Sequence, residues 1–132
     1  MNGKEQRVIQ EWVANQTRCA ICHWPASDQR RRLHVHHICG GAARARGHDP
    51  RNYLRLCERD HDIFHSGSVV GRFPPLYKST LLWAKQDSDP ENFDPAYLAS
   101  LRHKRHLGYD PEPPDEWYLQ ERIRNAKGHR TP

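Results

Sequence analysis

The stretch Leu33-His34-Val35-His36-His37-Ile38-Cys39-Gly40-Gly41 places three histidines within four residues. Two more, His61 and His65, follow in ERDHDIFHS at a separation of four. Imidazoles at i and i+4 of a helix share one face and can chelate one cation. Alone, such a pair is also what a solvated helix face carries. If LHVHH is a strand folded against that helix, His36 joins the pair. Three neutral imidazoles are borderline donors that favour zinc, nickel, cobalt or manganese over magnesium, which prefers oxygen ligands. An unperturbed histidine titrates near ~6.5, so a further one nearby could take a proton from water at neutral pH.

These side chains need elements to hold them. Val8, Ile9, Trp12 and Val13 recur with helical spacing over residues 4–16. Residues 31–38 read as a strand with Leu33, Val35 and His37 on one face, and residues 52–57 (NYLRLC) as a second. Between them lies a small-residue, basic loop. Residues 58–66 read as a short helix with Gly67 as its cap. Further on, the segment around Leu76, Leu81, Leu82 and Trp83 is expected to be helical, with an acidic turn at 86–95. Helices are expected at 95–107, with Pro95 first, and at 115–126, capped by Asp115. The tail at 127–132 is expected to be disordered. His36 and His37 point to opposite faces of a regular strand, so both serve one site only if the strand ends there. Cys39-Gly40-Gly41 allows that break. His34 is expected to face solvent.

Composition bounds the rest. The 132 residues are 36% apolar and 28% charged, a thin supply for a core, and small cores are often stapled by a metal. No apolar run approaches the ~18 residues of a membrane span. The N-terminal MNGKEQRVIQEWV lacks the apolar stretch of a signal peptide, so a reducing, cytoplasmic setting is expected. There, Cys19-Ala-Ile-Cys22 reads as a pair of metal ligands rather than a disulfide. The net charge is +5, and residues 17–59 carry nine arginines against Asp28, Asp49 and Glu58. That concentration points to a polyanion, nucleic acid first.

The ordered set VHHI at 35–38, Gly40-Gly41, Asn52 in RNYLRLC, and His61 and His65 in ERDHDIFH resembles the HNH endonucleases, or ββα-metal nucleases, over about residues 18–67. Its all-histidine form is similar to the colicin-type DNase toxins. The resemblance implies an α+β fold: a ββα-metal core at 17–67, with additional N- and C-terminal helices and a helical extension at 72–132, in one domain over 1–132. It implies metal-dependent hydrolysis of DNA phosphodiester bonds, by nicking or double-strand cleavage, leaving 5′-phosphate and 3′-hydroxyl ends. His36, His61 and His65 would hold a divalent ion (zinc, nickel, manganese or magnesium). His37 would be the general base, and Asn52 would fix the loop that orients it. Partners implied are DNA and, in phage or toxin settings, a packaging protein or an immunity-type inhibitor; a phage-encoded chain would act in the host cytoplasm.

Many family members also carry a structural zinc on two CxxC pairs. Here Cys19, Cys22 and Cys57 fit three positions, and Asp60 stands at the fourth. Zinc accepts a carboxylate oxygen. His23 or Cys39 as fourth ligand, or no zinc, are the other readings. Arg44, Arg46, Arg51 and Arg55, with Arg30, Arg31 and Arg32, are expected to contact phosphates. The alternative to an enzyme is a non-catalytic, zinc-stabilised DNA-binding module.

Overall fold

A computed structural model of the chain describes residues 3–66 and 72–128. The cap expected at Gly67 and tail residues 129–132 lie outside them. The fold is mixed α+β. Helix α1 (Gly3–Ala14) is followed by strand β1 (Leu33–His37), strand β2 (Tyr53–Cys57) and helix α2 (Glu58–Ser66). Helices α3 (Lys78–Ser88), α4 (Pro95–Leu101) and α5 (Glu116–Gly128) follow, and short 3-10 turns lie at Gly41–Arg46, Pro50–Asn52 and Pro90–Asn92.

The strands form a two-stranded antiparallel sheet that pairs Leu33 with Cys57, His36 with Leu54 and His37 with Tyr53. Leu33, Val35 and His37 of β1 are all partly buried, consistent with the one face expected for them. His36, not Leu33, Val35 or His37, is its one buried residue, because α2 packs on the His36 side. In β2, Tyr53, Leu54, Leu56 and Cys57 are all buried, with only Arg55 partly open. Elements therefore cover both faces of this strand, which an alternating pattern does not anticipate.

The 18–25 turn folds back on itself through an Arg18–Pro25 bridge, and the Ala20 N–H donates to the Arg55 carbonyl at 2.8 Å. That bond seats Cys19 and Cys22 beside the β2–α2 junction. The apolar core runs from this turn through β2 to Leu81 and Leu82 of α3, Leu98 and Leu101 of α4, and Tyr118 of α5.

Helix boundaries differ from expectation in physical ways. α3 extends through residues 86–88 of the expected acidic turn. α4 ends at Leu101 rather than 107 because a reverse turn closes it: the Lys104 N–H donates to Ala99 and the His103 N–H to Ser100, both at 3.0 Å. Asp115 caps α5 through the Trp117 N–H at 2.9 Å, and the helix takes in Lys127 and Gly128 of the expected tail.

One buried cation braces the region behind the sheet. Lys85 of α3 is fully buried and donates to the Pro50 and Tyr53 carbonyls at 2.7 Å and to Asp89 at 2.6 Å. The Trp12 indole N–H donates to the same carboxylate at 2.8 Å. α1, α3 and the entry to β2 are thereby tied together, on either side of Asn52.

Candidate metal centres

Two clusters of ligating side chains lie at opposite ends of α2. At its start, the ligating atoms of Cys19, Cys22, Cys57 and Asp60 all lie within 4.8 Å of one another, and all four residues are buried. Toward its end, His61 and His65 face His36 across the sheet, again within 4.8 Å. The burial grades from His36 at 6% exposed through His61 to an exposed His65.

The cysteine cluster has the dimensions of a tetrahedral site. Metal–sulfur bonds of ~2.3 Å require sulfur–sulfur edges of about 3.8 Å, and Cys22 Sγ and Cys57 Sγ are 3.8 Å apart. Cys19 Sγ lies 3.2 Å from Asp60 Oδ2, a shorter edge set by an S–H to oxygen hydrogen bond. The other oxygen, Oδ1, accepts from Arg59 at 2.8 and 3.0 Å. Asp60 is thus divided, with one oxygen for the cluster and one held by an outer partner, as ligating carboxylates are. Arg59 is fixed in turn by Glu121 of α5.

Protons compete for these groups in the metal-free form. Burial, with hydrogen bonds from Cys22 and Cys57, raises the Cys19 thiol well above its ordinary range. Cys57 goes the other way, held down to about 2 by hydrogen bonds from Cys19 and Cys22. Burial and then the Cys57 charge push Asp60 up to about 6, with Arg59 opposing. One anion shared among neighbouring protons is the state a divalent cation would displace. His23 and Cys39 stand outside both clusters: His23 sits in a left-handed turn with φ 62°, and Cys39 donates to the Leu98 carbonyl at 3.5 Å.

In the histidine cluster, the His36 ring lies 5.3 Å from His61 and 5.4 Å from His65, and His61 and His65 are 4.4 Å apart. The Nε2 atoms of His61 and His65 approach to 3.1 Å. His36 Nε2 is buried without a hydrogen-bond partner, which in a native interior calls for a ligand. Burial, followed by the charges of His61 and His65, pushes His36 down to about 3, so its ring is neutral and its lone pair available. The donor set fits a first-row divalent ion, and three ligands leave a further position for solvent or substrate. His34 is exposed, as expected, with its ring 5.6 Å from His61.

β1 ends at His37, whose half-buried ring packs on Tyr53 at 5.3 Å and His48 at 5.9 Å. Its Nε2 accepts no hydrogen bond. Burial, then Arg44 and His48, push it down to about 4, so it too is neutral at pH 7. Asn52 is fully buried behind it. Its Oδ1 accepts from the Cys39 N–H at 2.8 Å, and its Nδ2 donates to the Cys39 and Gly47 carbonyls at 3.2 Å. One amide thereby closes the loop between the strands. Gly47 is required there, because a Cβ would stand 2.4 Å from Asn52 Nδ2.

The expected phosphate-binding arginines divide. Arg51 is bound to Asp49 at 3.0 Å and Asp94 at 3.2 Å, over the Tyr97 ring. Arg55 donates to the Gln16 and Leu33 carbonyls at 3.2 Å. Both serve the fold in this structure. Arg30 pairs with Asp28, and Arg31 stacks on Trp24. Arg44 and Arg46 are exposed, although Arg46 also donates to the Leu101 carbonyl. Residues that the sequence reading missed are His48, Lys85, Arg59 and Glu121, together with Arg122 and Asn125, which clamp the carbonyls of Ala20, Ile21 and Cys22 at 2.7 Å. Their only signal was polar spacing along α5, where Glu121 and Asn125 are buried while Ile123 is exposed.

Comparison of the chain with protein-family models, curated proteins and solved structures found no match.

Proposed function

We propose that this chain is a metal-dependent endonuclease of the HNH type that hydrolyses DNA phosphodiester bonds. One observation carries the reading: a three-histidine cluster that opens at His65 adjoins a fourth histidine, His37, whose Nε2 is buried without a hydrogen-bond partner and whose loop is closed by a buried asparagine. The succession of β1, β2 and α2, with the helix packed on the two-stranded sheet, supports this reading. A divalent ion on His36, His61 and His65 would supply Lewis-acid stabilisation of the phosphate and of the leaving 3′-oxygen.

The remaining roles belong to the chain itself. His37, neutral at pH 7, accepts the proton of the attacking water. Its lowered pKa weakens it as a base but keeps its lone pair free through the physiological range. Asn52 acts at one remove, holding Cys39 and Gly47 so that the strand ends with His37 in place. The closed cysteine cluster braces the start of α2 and takes no part in the chemistry. A non-catalytic DNA-binding module would need neither the unbonded His37 nor an open position at the histidines.

The test is incubation with supercoiled plasmid and Mn²⁺, Ni²⁺ or Mg²⁺, with and without EDTA. Metal-dependent nicking or linearisation is expected. Intact plasmid with every ion would overturn the proposal.

A further inference from the structure

With Arg51 and Arg55 committed to the fold, other cations must face a polyanion. The segment Arg102-His103-Lys104-Arg105-His106 is a second basic run, placed by the turn that ends α4. His103 occupies the left-handed position of that turn, with φ 56°. Glycine is usual there, and an L-residue is strained. The turn sets Arg102 and Lys104 on one wall of a groove of about 410 Å³, whose other wall is the Gly40–Ala43 loop.

No carboxylate lines this groove. Arg46 lines it as well, its guanidinium also donating to the Leu101 carbonyl. Among the described residues, neither Arg102 nor Lys104 forms an ion pair with an acid. Like charges gathered without a counter-ion repel, and an anion relieves that repulsion.

We propose that this groove binds the phosphodiester backbone of DNA, with Arg102 and Lys104 as phosphate contacts and the glycine–alanine wall allowing close approach. The identity of the ligand rests on the nuclease reading; the groove and its charge do not. Such contacts give affinity without sequence selection and release counterions.

The experiment is fluorescence anisotropy of a labelled DNA duplex with the full-length, metal-loaded His37→Ala protein, titrated at several salt concentrations. Into it go Arg102→Gln and Lys104→Gln, with Arg124→Gln on the exposed face of α5 as the control of equal charge. Each groove variant is expected to weaken binding roughly five- to tenfold at 0.1 M salt and to lower the slope of log K against log salt by about 1. The control is expected to change affinity by about twofold or less. Melting temperatures matching the parent show that the losses are not unfolding. Groove variants that bind like the parent, or lose no more than the control, overturn the proposal. Plasmid cleavage by the wild type separates the two ideas. Binding lost in the groove variants without wild-type cleavage leaves the groove and removes the nuclease. Cleavage with unchanged binding does the reverse.

Discussion

The two ends of α2 solve different problems with similar materials. At the start, Cys19, Cys22, Cys57 and Asp60 make four ligands in a fully buried shell, with Arg59 and Glu121 behind them. At the other end, His36, His61 and His65 make three ligands that open onto the surface. Four buried ligands exclude solvent and suit holding; three on an open face leave room for a reacting group. One short helix joins them, so a brace at one end can fix geometry at the other.

The comparison can be broken first at its buried end. Replacing Cys57 by Ala removes one ligand and leaves a partly charged cluster in the core. Structural zinc in small domains contributes on the order of 10 kcal/mol, comparable to the whole stability of such a fold. Loss of the cooperative thermal transition is therefore expected for Cys57→Ala, while His61→Ala keeps it; equal melting of the two variants would erase the distinction. Next comes His37→Ala, expected to lower plasmid cleavage by about 10²–10⁴-fold. Its melting temperature and metal content should stay at wild-type values. A variant cutting at the wild-type rate would remove His37 from the chemistry.

Asn52→Ala strands the Cys39 N–H and the carbonyls of Cys39 and Gly47 in the interior, at a cost of about 1–3 kcal/mol for each buried group left unpaired. Denaturant unfolding should show a loss of several kcal/mol, whereas Gly47→Ala, which crowds the same amide, should cost about 1–3 kcal/mol. Asp60→Cys sharpens the comparison the other way. It completes four thiolates, and slower zinc loss to a chelator is expected, with the histidine site unaltered.

A pH-dependent effect concerns the brace outside both clusters. Burial pushes the Asp89 carboxyl up, but hydrogen bonds from Lys85 and Trp12 prevail and hold it below its usual range. A depressed acid stabilises the fold above its unfolded pKa of ~3.9 and loses that contribution as pH falls through the folded value. Asp89→Asn leaves the buried Lys85 ammonium without its carboxylate, so a loss of about 3–5 kcal/mol at neutral pH and a flatter acid limb below about pH 4 are expected in denaturant unfolding; an unchanged limb would show that the brace does not depend on this charge.

How much of this was legible in the sequence depends on the distance between partners. The His61-His65 and Cys19-Cys22 pairs were readable because their spacing is local and their residue types are rarely used for packing, and His36 because a strand followed by a helix could bring it to the histidine pair. Cys57 and Asp60 came from a family pattern, and the structure brings both to the first pair. For the arginines, charge shows in a sequence while its partner does not. Arg51 meets Asp94 and Arg55 meets the Gln16 carbonyl only once the chain is folded. Lys85 reads as a surface lysine until three oxygens surround it. α5 hid its role because its buried face sets Glu121 and Asn125 beside Tyr118 while Ile123 is exposed, which blurs the usual helical pattern. α4 ended early because His103 takes a backbone form that its residue type does not advertise.

The central claim is that the two ends of α2 hold metal differently, and native mass spectrometry of the intact chain during chelator titration tests it most directly. Two divalent ions per chain are predicted, one leaving at low chelator concentration and absent from His61→Ala, the other retained until the fold is lost. A single ion, or two released together in wild type, would contradict the account.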